Sequence, residues 1–328
     1  MSKRRCFGIL LGSILFLVCS FSCFAQVLVK RQMMQMGSLF DISVVAKDSV
    51  QARMEIDQAV AEMERIENLI SEWRPQTQVS EVNRNAGIRP VKVDREVFEL
   101  TKRAISYSEM SGGAFDISIV AMDKIWLYDG SMTQMPDSLA VRKSVEKVGF
   151  EHIVLDSVNS TIYLSRHGMK IGFGSIGKGY AADRGRAILR ANGVKGGIVN
   201  ASGDLSAWGE QVNRKPWNIG ITNPFKTRKL VKVLKIRNAS VATSGSYEKY
   251  AEIDGKRYSH IINPRTGYPS TGLTSVTIIG PGAEFANALS TSIMVLGAEE
   301  GLKLIRRFPE YRYVFLTDTG RIIRSAKL

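Results

Sequence analysis

No cysteine follows Cys23, and only three histidines occur in 328 residues. Cys6, Cys19 and Cys23 all lie in an N-terminal stretch that reads as an export signal. Lys3, Arg4 and Arg5 form its basic region, Phe7 to Phe21 its apolar core, and Cys23-Phe24-Ala25 puts small residues before Gln26. That core is short for a membrane span, and a polar sequence follows. Cleavage after Ala25 is expected, giving an exported, periplasmic protein. The alternative is a lipoprotein anchored to the inner membrane through Cys23, against which Ser20 argues. The remaining 303 residues would carry no cysteine, excluding disulfides, thiol catalysis and thiolate metal sites.

Segregated charge is also lacking. The net charge of +14 falls to +11 without residues 1–25, because three basic residues leave and no acidic ones do. The basic residues are scattered, and aromatics do not alternate with them. Nucleic acid is therefore disfavoured as a partner, and an anionic small molecule or the membrane surface is expected instead.

With so few histidines, the stretch from Tyr258 to Pro269 stands out. It carries His260 at the end of a strand-like run, before a Pro/Gly turn at Asn263-Pro264-Arg265-Thr266-Gly267. His260 is the expected proton carrier; a satisfied core histidine is the competing reading. His152 and His167 sit where structural roles suffice.

No internal repeat or linker is evident, so residues 26–328 are read as one domain, with two lobes and a cleft as one arrangement. Apolar residues at Ile56, Val60, Met63, Ile66, Ile70 and Trp73 predict a helix over 54–73. Further helices are expected over 95–110, from about Gly177 to Asn192, over 283–296 and over 299–308. Strands are expected at 38–46, 152–156, 161–164, 169–173, 194–200, 311–316 and 321–325. The class is α+β, with mixed sheets and packed helices.

Gly172-Phe173-Gly174-Ser175-Ile176-Gly177-Lys178-Gly179 spells G-x-G-x-x-G, yet lacks the acidic residue about 20 positions on that a dinucleotide site requires. It nearly spells a P-loop, but Gly179 replaces the hydroxyl residue. What survives is a helix N-terminus with a lysine beside it, which favours a phosphate; a tight strand-to-helix turn is the alternative. Gly112-Gly113-Ala114-Phe115-Asp116 places a carboxylate after a turn, as a ligand contact or simply a cap. Gly197 to Asp204 ends a strand in small residues, and Thr243-Ser244-Gly245 is a hydroxyl-rich turn. Asn287 and Thr291, four apart, share a helical face that could offer oxygens to a hard cation.

Taken in order, these blocks resemble the FAD:protein FMN transferases of the ApbE-like family, over about residues 36–297. Leu69-Ile70-Ser71 with Trp73, Ser80 to Asn85, Gly177 to Asp183, Asn200 to Asp204, Ala242 to Gly245 and Ala286 to Thr291 complete the match. The resemblance implies an ApbE-like flavin transferase fold that moves FMN from FAD to a threonine or serine hydroxyl of another protein, releasing AMP. It implies Mg2+ as cofactor and, as partner, an acceptor with a flavinylation motif, such as a subunit of an ion-pumping redox complex. Matching positions imply Met36, Trp73, Ala114, Phe115, Asp116, Lys178 and Ile262 at the flavin nucleotide, Ser175, Asn287, Ser290 and Thr291 at the metal, and His260 as base. Asn287 and Gly172 stand where the family usually has acidic residues, which predicts weaker Mg2+ binding. A non-catalytic FAD-binding protein and an FAD pyrophosphatase are the competing functions.

Overall fold

A computed structural model describes residues 26–226, 229–247, 249–326 and 328. The export segment and all three cysteines lie outside these residues. An eight-stranded antiparallel sheet forms the frame, and its strands join in the order in which the chain meets them. They are Val27–Gln35, Ser38–Ala46, Gly196–Ala201, Asp204–Trp208, Ala239–Gly245, Leu273–Gly280, Arg312–Thr317 and Ile322–Arg324.

Period-two alternation sorts the side chains of this sheet. Phe40, Ile42 and Val44 face one side, where they pack on Ile56 and Met63 of helix α1 (Ser49–Ile70) and on Ala181 and Leu189 of a helix at Gly177–Ala191. Val45, Leu205, Val241 and Val314 meet Trp217, Ile221, Leu234 and Ile236 of a two-stranded ribbon. Between the first two helices in that layer, the chain builds an annex. It holds α2 (Gln78–Arg84), α3 (Arg95–Met110), α4 (Ser138–Ser144) and a three-stranded sheet of Val91–Lys92, Ile153–Asp156 and Thr161–Leu164. The helix at Gly177–Ala191 is thus α5. The last helix, α6 (Ala283–Ile305), packs Leu289 and Ile293 on Val276, Ile278 and Phe315.

Helix α1 starts one turn before the expected residue 54 because the Asp48 side chain caps it, accepting from the N–H groups of Val50 and Gln51. It ends at Ile70, so Trp73 lies in the following loop. Helix α3 spans the expected residues 95–110. The two helices expected at 283–296 and 299–308 abut as one element, broken only by non-helical backbone at Gly297 (φ 79°).

The strand expected at 169–173 is absent. Instead the Asn83 amide reads Ile171 as a neighbouring strand would, donating to its carbonyl at 2.9 Å and accepting from its N–H at 2.8 Å. One side chain replaces a ladder, so the backbone has no need of an extended partner. Among the described residues, no helix is long and apolar enough to cross a membrane.

Candidate active site

The glycine loop leads into α5, whose first turn has neither a side-chain cap nor an acidic residue and carries half-buried Lys178. Its leading N–H groups and Lys178 therefore favour an anion. Ser175 is half-buried one turn upstream. At Gly179, a Cβ would lie 2.5 Å from the carbonyl oxygen of Ala283, so the beginnings of α5 and α6 touch, and only glycine permits this. One carboxylate then ties the helices together. Asp183 Oδ2 accepts from the N–H groups of Ala283 and Glu284 at 2.7 and 3.0 Å, capping α6 from outside. Its Oδ1 accepts from the Ser206 hydroxyl.

Along α6, the Asn287 side chain reaches Asp204, while Ser290 and Thr291 reach Ser244. Asn287 Nδ2 donates to Asp204 Oδ2 at 2.9 Å, and both residues are buried, at 7% and 6% exposed. Asn287 Oδ1 has no hydrogen-bond partner although it is buried. The Ser290 hydroxyl reaches the Asn287 carbonyl oxygen at 3.0 Å and the Ser244 hydroxyl at 2.8 Å. Thr291 Oγ1 lies 3.3 Å from Ser244. Asp204 and Ser244 were visible as strand ends rich in small residues, but nothing in the sequence joined them to Asn287.

Asp116 is buried and its carboxylate is occupied. Oδ1 accepts from the Ser118 N–H and hydroxyl at 2.8 and 2.7 Å, and Oδ2 from the Phe150 N–H at 2.9 Å. Burial outweighs these bonds and raises its pKa. Ala114 and Phe115 are buried beside it. The next residue, Ile117, offers its carbonyl oxygen to the Gly172 N–H at 2.9 Å, linking this loop to the glycine loop.

His260 ends the strand Lys256–Ser259, and its Nδ1 lies 3.0 Å from the Lys249 carbonyl oxygen. A carbonyl only accepts, so Nδ1 carries the proton, and in a neutral ring the lone pair is on Nε2. Tyr128 meets the ring edge-on at 6.4 Å. The Asn263 turn follows, with Arg265 and Gly267 bonded back onto Asn263. Arg265 packs on Gly113, where a Cβ would lie 3.0 Å from its Nε, so the histidine loop and the Asp116 loop meet. Ile262 is half-buried beside Trp126 and Val141.

Met36 occupies a two-residue hairpin turn with φ 49°, a left-handed conformation that costs a methionine energy. Its N–H donates to Glu67 Oε2 at 3.2 Å. Trp73 is 77% exposed, with Lys124 Nζ 5.6 Å from its ring centre. Next to it, burial pushes the Glu72 carboxyl above its usual range. That carboxyl lies 3.0 Å from where a Cβ on Gly172 would be. An acidic side chain thus stands beside the glycine loop although position 172 carries none; Glu72 was not legible as a site residue.

Residues 36–315 match the ApbE family model. The chain is 31% identical to an FAD:protein FMN transferase of Treponema pallidum, covering 99% of this chain and 95% of that protein. It is 34% identical to one of Klebsiella pneumoniae over 80% and 82% of the two chains. Among solved structures it is similar to an ApbE protein of Thermotoga maritima, with TM-score 0.83, 30% identity and coverage of 92% and 97%. The flavinyl transferase ApbE of Pseudomonas stutzeri gives 0.80 at 27% identity, covering 92% and 95%.

Proposed function

The chain belongs to the ApbE family, and on that premise we propose that it is an FAD:protein FMN transferase acting on a threonine or serine hydroxyl of an exported or membrane redox protein. The observation that carries the chemistry is the orientation of His260. With Nδ1–H held by the Lys249 carbonyl, Nε2 is the atom that takes the proton of the acceptor hydroxyl. The freed oxygen attacks the phosphorus on the FMN side of the FAD pyrophosphate. The bond between that phosphorus and the bridging oxygen breaks, and AMP leaves.

Lys178 and the first turn of α5 bind the pyrophosphate and offset its charge. Trp73 offers an exposed ring face for stacking. The Asp116 carboxylate, filled by Ser118 and Phe150, serves this site by fixing the turn that follows Ala114 and Phe115. Thr291, Asn287, Ser290 and Ser175 are the residues whose oxygens would hold Mg2+. The bare, buried Oδ1 of Asn287 is the observation that fits such an ion. A divalent cation there supplies charge neutralisation for the pyrophosphate. We further propose export through residues 1–25, which places the protein on the periplasmic side, where its basic surface meets membrane-bound acceptors.

The test mixes purified protein, FAD and Mg2+ with an acceptor fragment bearing a flavinylation motif, and reads intact mass. The fragment gains one FMN, and chelator abolishes the gain. His260→Ala reduces transfer at least about tenfold while FAD binding persists; undiminished transfer would remove His260 from the mechanism. FMN and AMP formed equally without acceptor would mark a pyrophosphatase.

A further inference from the structure

We propose that Asp204 is the positioning carboxylate of the divalent-cation site: it orients the Asn287 amide, whose Oδ1 is the ligand, and sets a negative charge behind it. The inference rests on the transferase reading and gives Asp204 a role in it. Asn287 on α6 and Asp204 at the start of its strand are 83 positions apart, yet the amide nitrogen donates to the carboxylate at 2.9 Å. That bond settles which way the amide faces. Reversed, its oxygen would oppose a carboxylate oxygen, and two acceptors would repel. Oδ1 therefore points away from Asp204.

Oδ1 ends there, buried and without a partner. A buried acceptor left unmet is costly, and a cation removes that cost. The same helix brings together groups suited to a hard ion. Ser244, Ser290 and Thr291 bring hydroxyl oxygens into one hydrogen-bonded cluster, and no sulfur or imidazole is among them. Oxygen-only ligation suits Mg2+ or Mn2+. An amide and hydroxyls alone bring no negative charge; Asp204 supplies it. The charge absent at position 287 is thus carried by the neighbouring strand, and the pair Asp204–Asn287 does what one helical carboxylate would do.

Mn2+ is the probe, titrated into full-length purified protein with FAD present and followed by the EPR signal of free Mn2+, against a protein-free FAD blank. Wild type binds one Mn2+ per chain. Asp204→Asn weakens binding at least tenfold, Asn287→Asp tightens it, and the double swap D204N/N287D returns to within about threefold of wild type. The gain in Asn287→Asp and the recovery in the swap cannot come from misfolding, and the thermal midpoint of each variant is read alongside. Asp204→Asn binding Mn2+ as wild type does would overturn the assignment and leave the transferase reading intact. No Mn2+ binding by wild type would overturn both the assignment and the metal dependence of the reading.

Discussion

Asp116 and Asp204 are both buried carboxylates that follow glycine-bearing turns, yet their surroundings differ in kind. Around Asp116 three fixed donors, two of them backbone N–H groups, fill the two oxygens. Asp204 accepts from the Asn287 amide, whose own oxygen is buried without a partner. The first arrangement needs nothing more and holds loops together. The second leaves a buried amide oxygen bare, which a cation would satisfy. The two residues look alike as buried acids; the unmet oxygen beside Asp204 separates them.

That contrast can be broken most directly at Asp116. Asp116→Ala strands the N–H groups of Ser118 and Phe150 and the Ser118 hydroxyl, and should cost about 3 kcal/mol at roughly 1 kcal/mol or more per buried unmet group. Denaturant unfolding measures it. A loss well below this would mean that the Asp116 bonds fasten less than their geometry suggests.

Metal linkage sharpens the same contrast. Mg2+ at about 100 times its dissociation constant should raise wild-type stability by about 2.7 kcal/mol. Asp116→Ala should keep that gain on a lower baseline, and Asp204→Ala should lose it. A gain of equal size in all three proteins would place the ion elsewhere.

The smallest effect concerns Glu72, a third partly sequestered carboxyl, which burial shifts upward from 4.5. Its folded pKa exceeds its unfolded one, so the protonated form favours folding. That contribution is full below the unfolded value and is lost as pH rises through the folded one. Glu72→Gln should therefore raise the melting midpoint slightly at pH 7 and leave it unchanged near pH 4, as differential scanning calorimetry at both pH values would register. A midpoint that falls at pH 7 would show that the charged form has a favourable partner.

Local periodicity made much of this architecture legible. The apolar spacing of α1, the glycine stop after α3 and the turn at Asn192-Gly193 each act within a few residues, and the structure keeps them. The strand expected at 169–173 failed because a side chain from Asn83, 88 positions away, supplies what a neighbouring strand would. The site shows the same division. Asn287, Ser290 and Thr291 could be grouped by helical spacing alone. Asp204 and Ser244 could not, because their places beside α6 come from strand order in a sheet spanning nearly the whole chain. Glu72 escaped notice for a related reason, since its approach to Gly172 crosses a hundred residues.

The Asp183 cap on α6 has a consequence for how the protein matures. Its two ends are 100 positions apart, and the strands between them must be in place before the carboxylate can meet Ala283 and Glu284. Closing so long a loop belongs to the slow, late part of assembly. A nascent chain therefore lacks the joined beginnings of α5 and α6, and the joint forms only when almost the whole chain is finished.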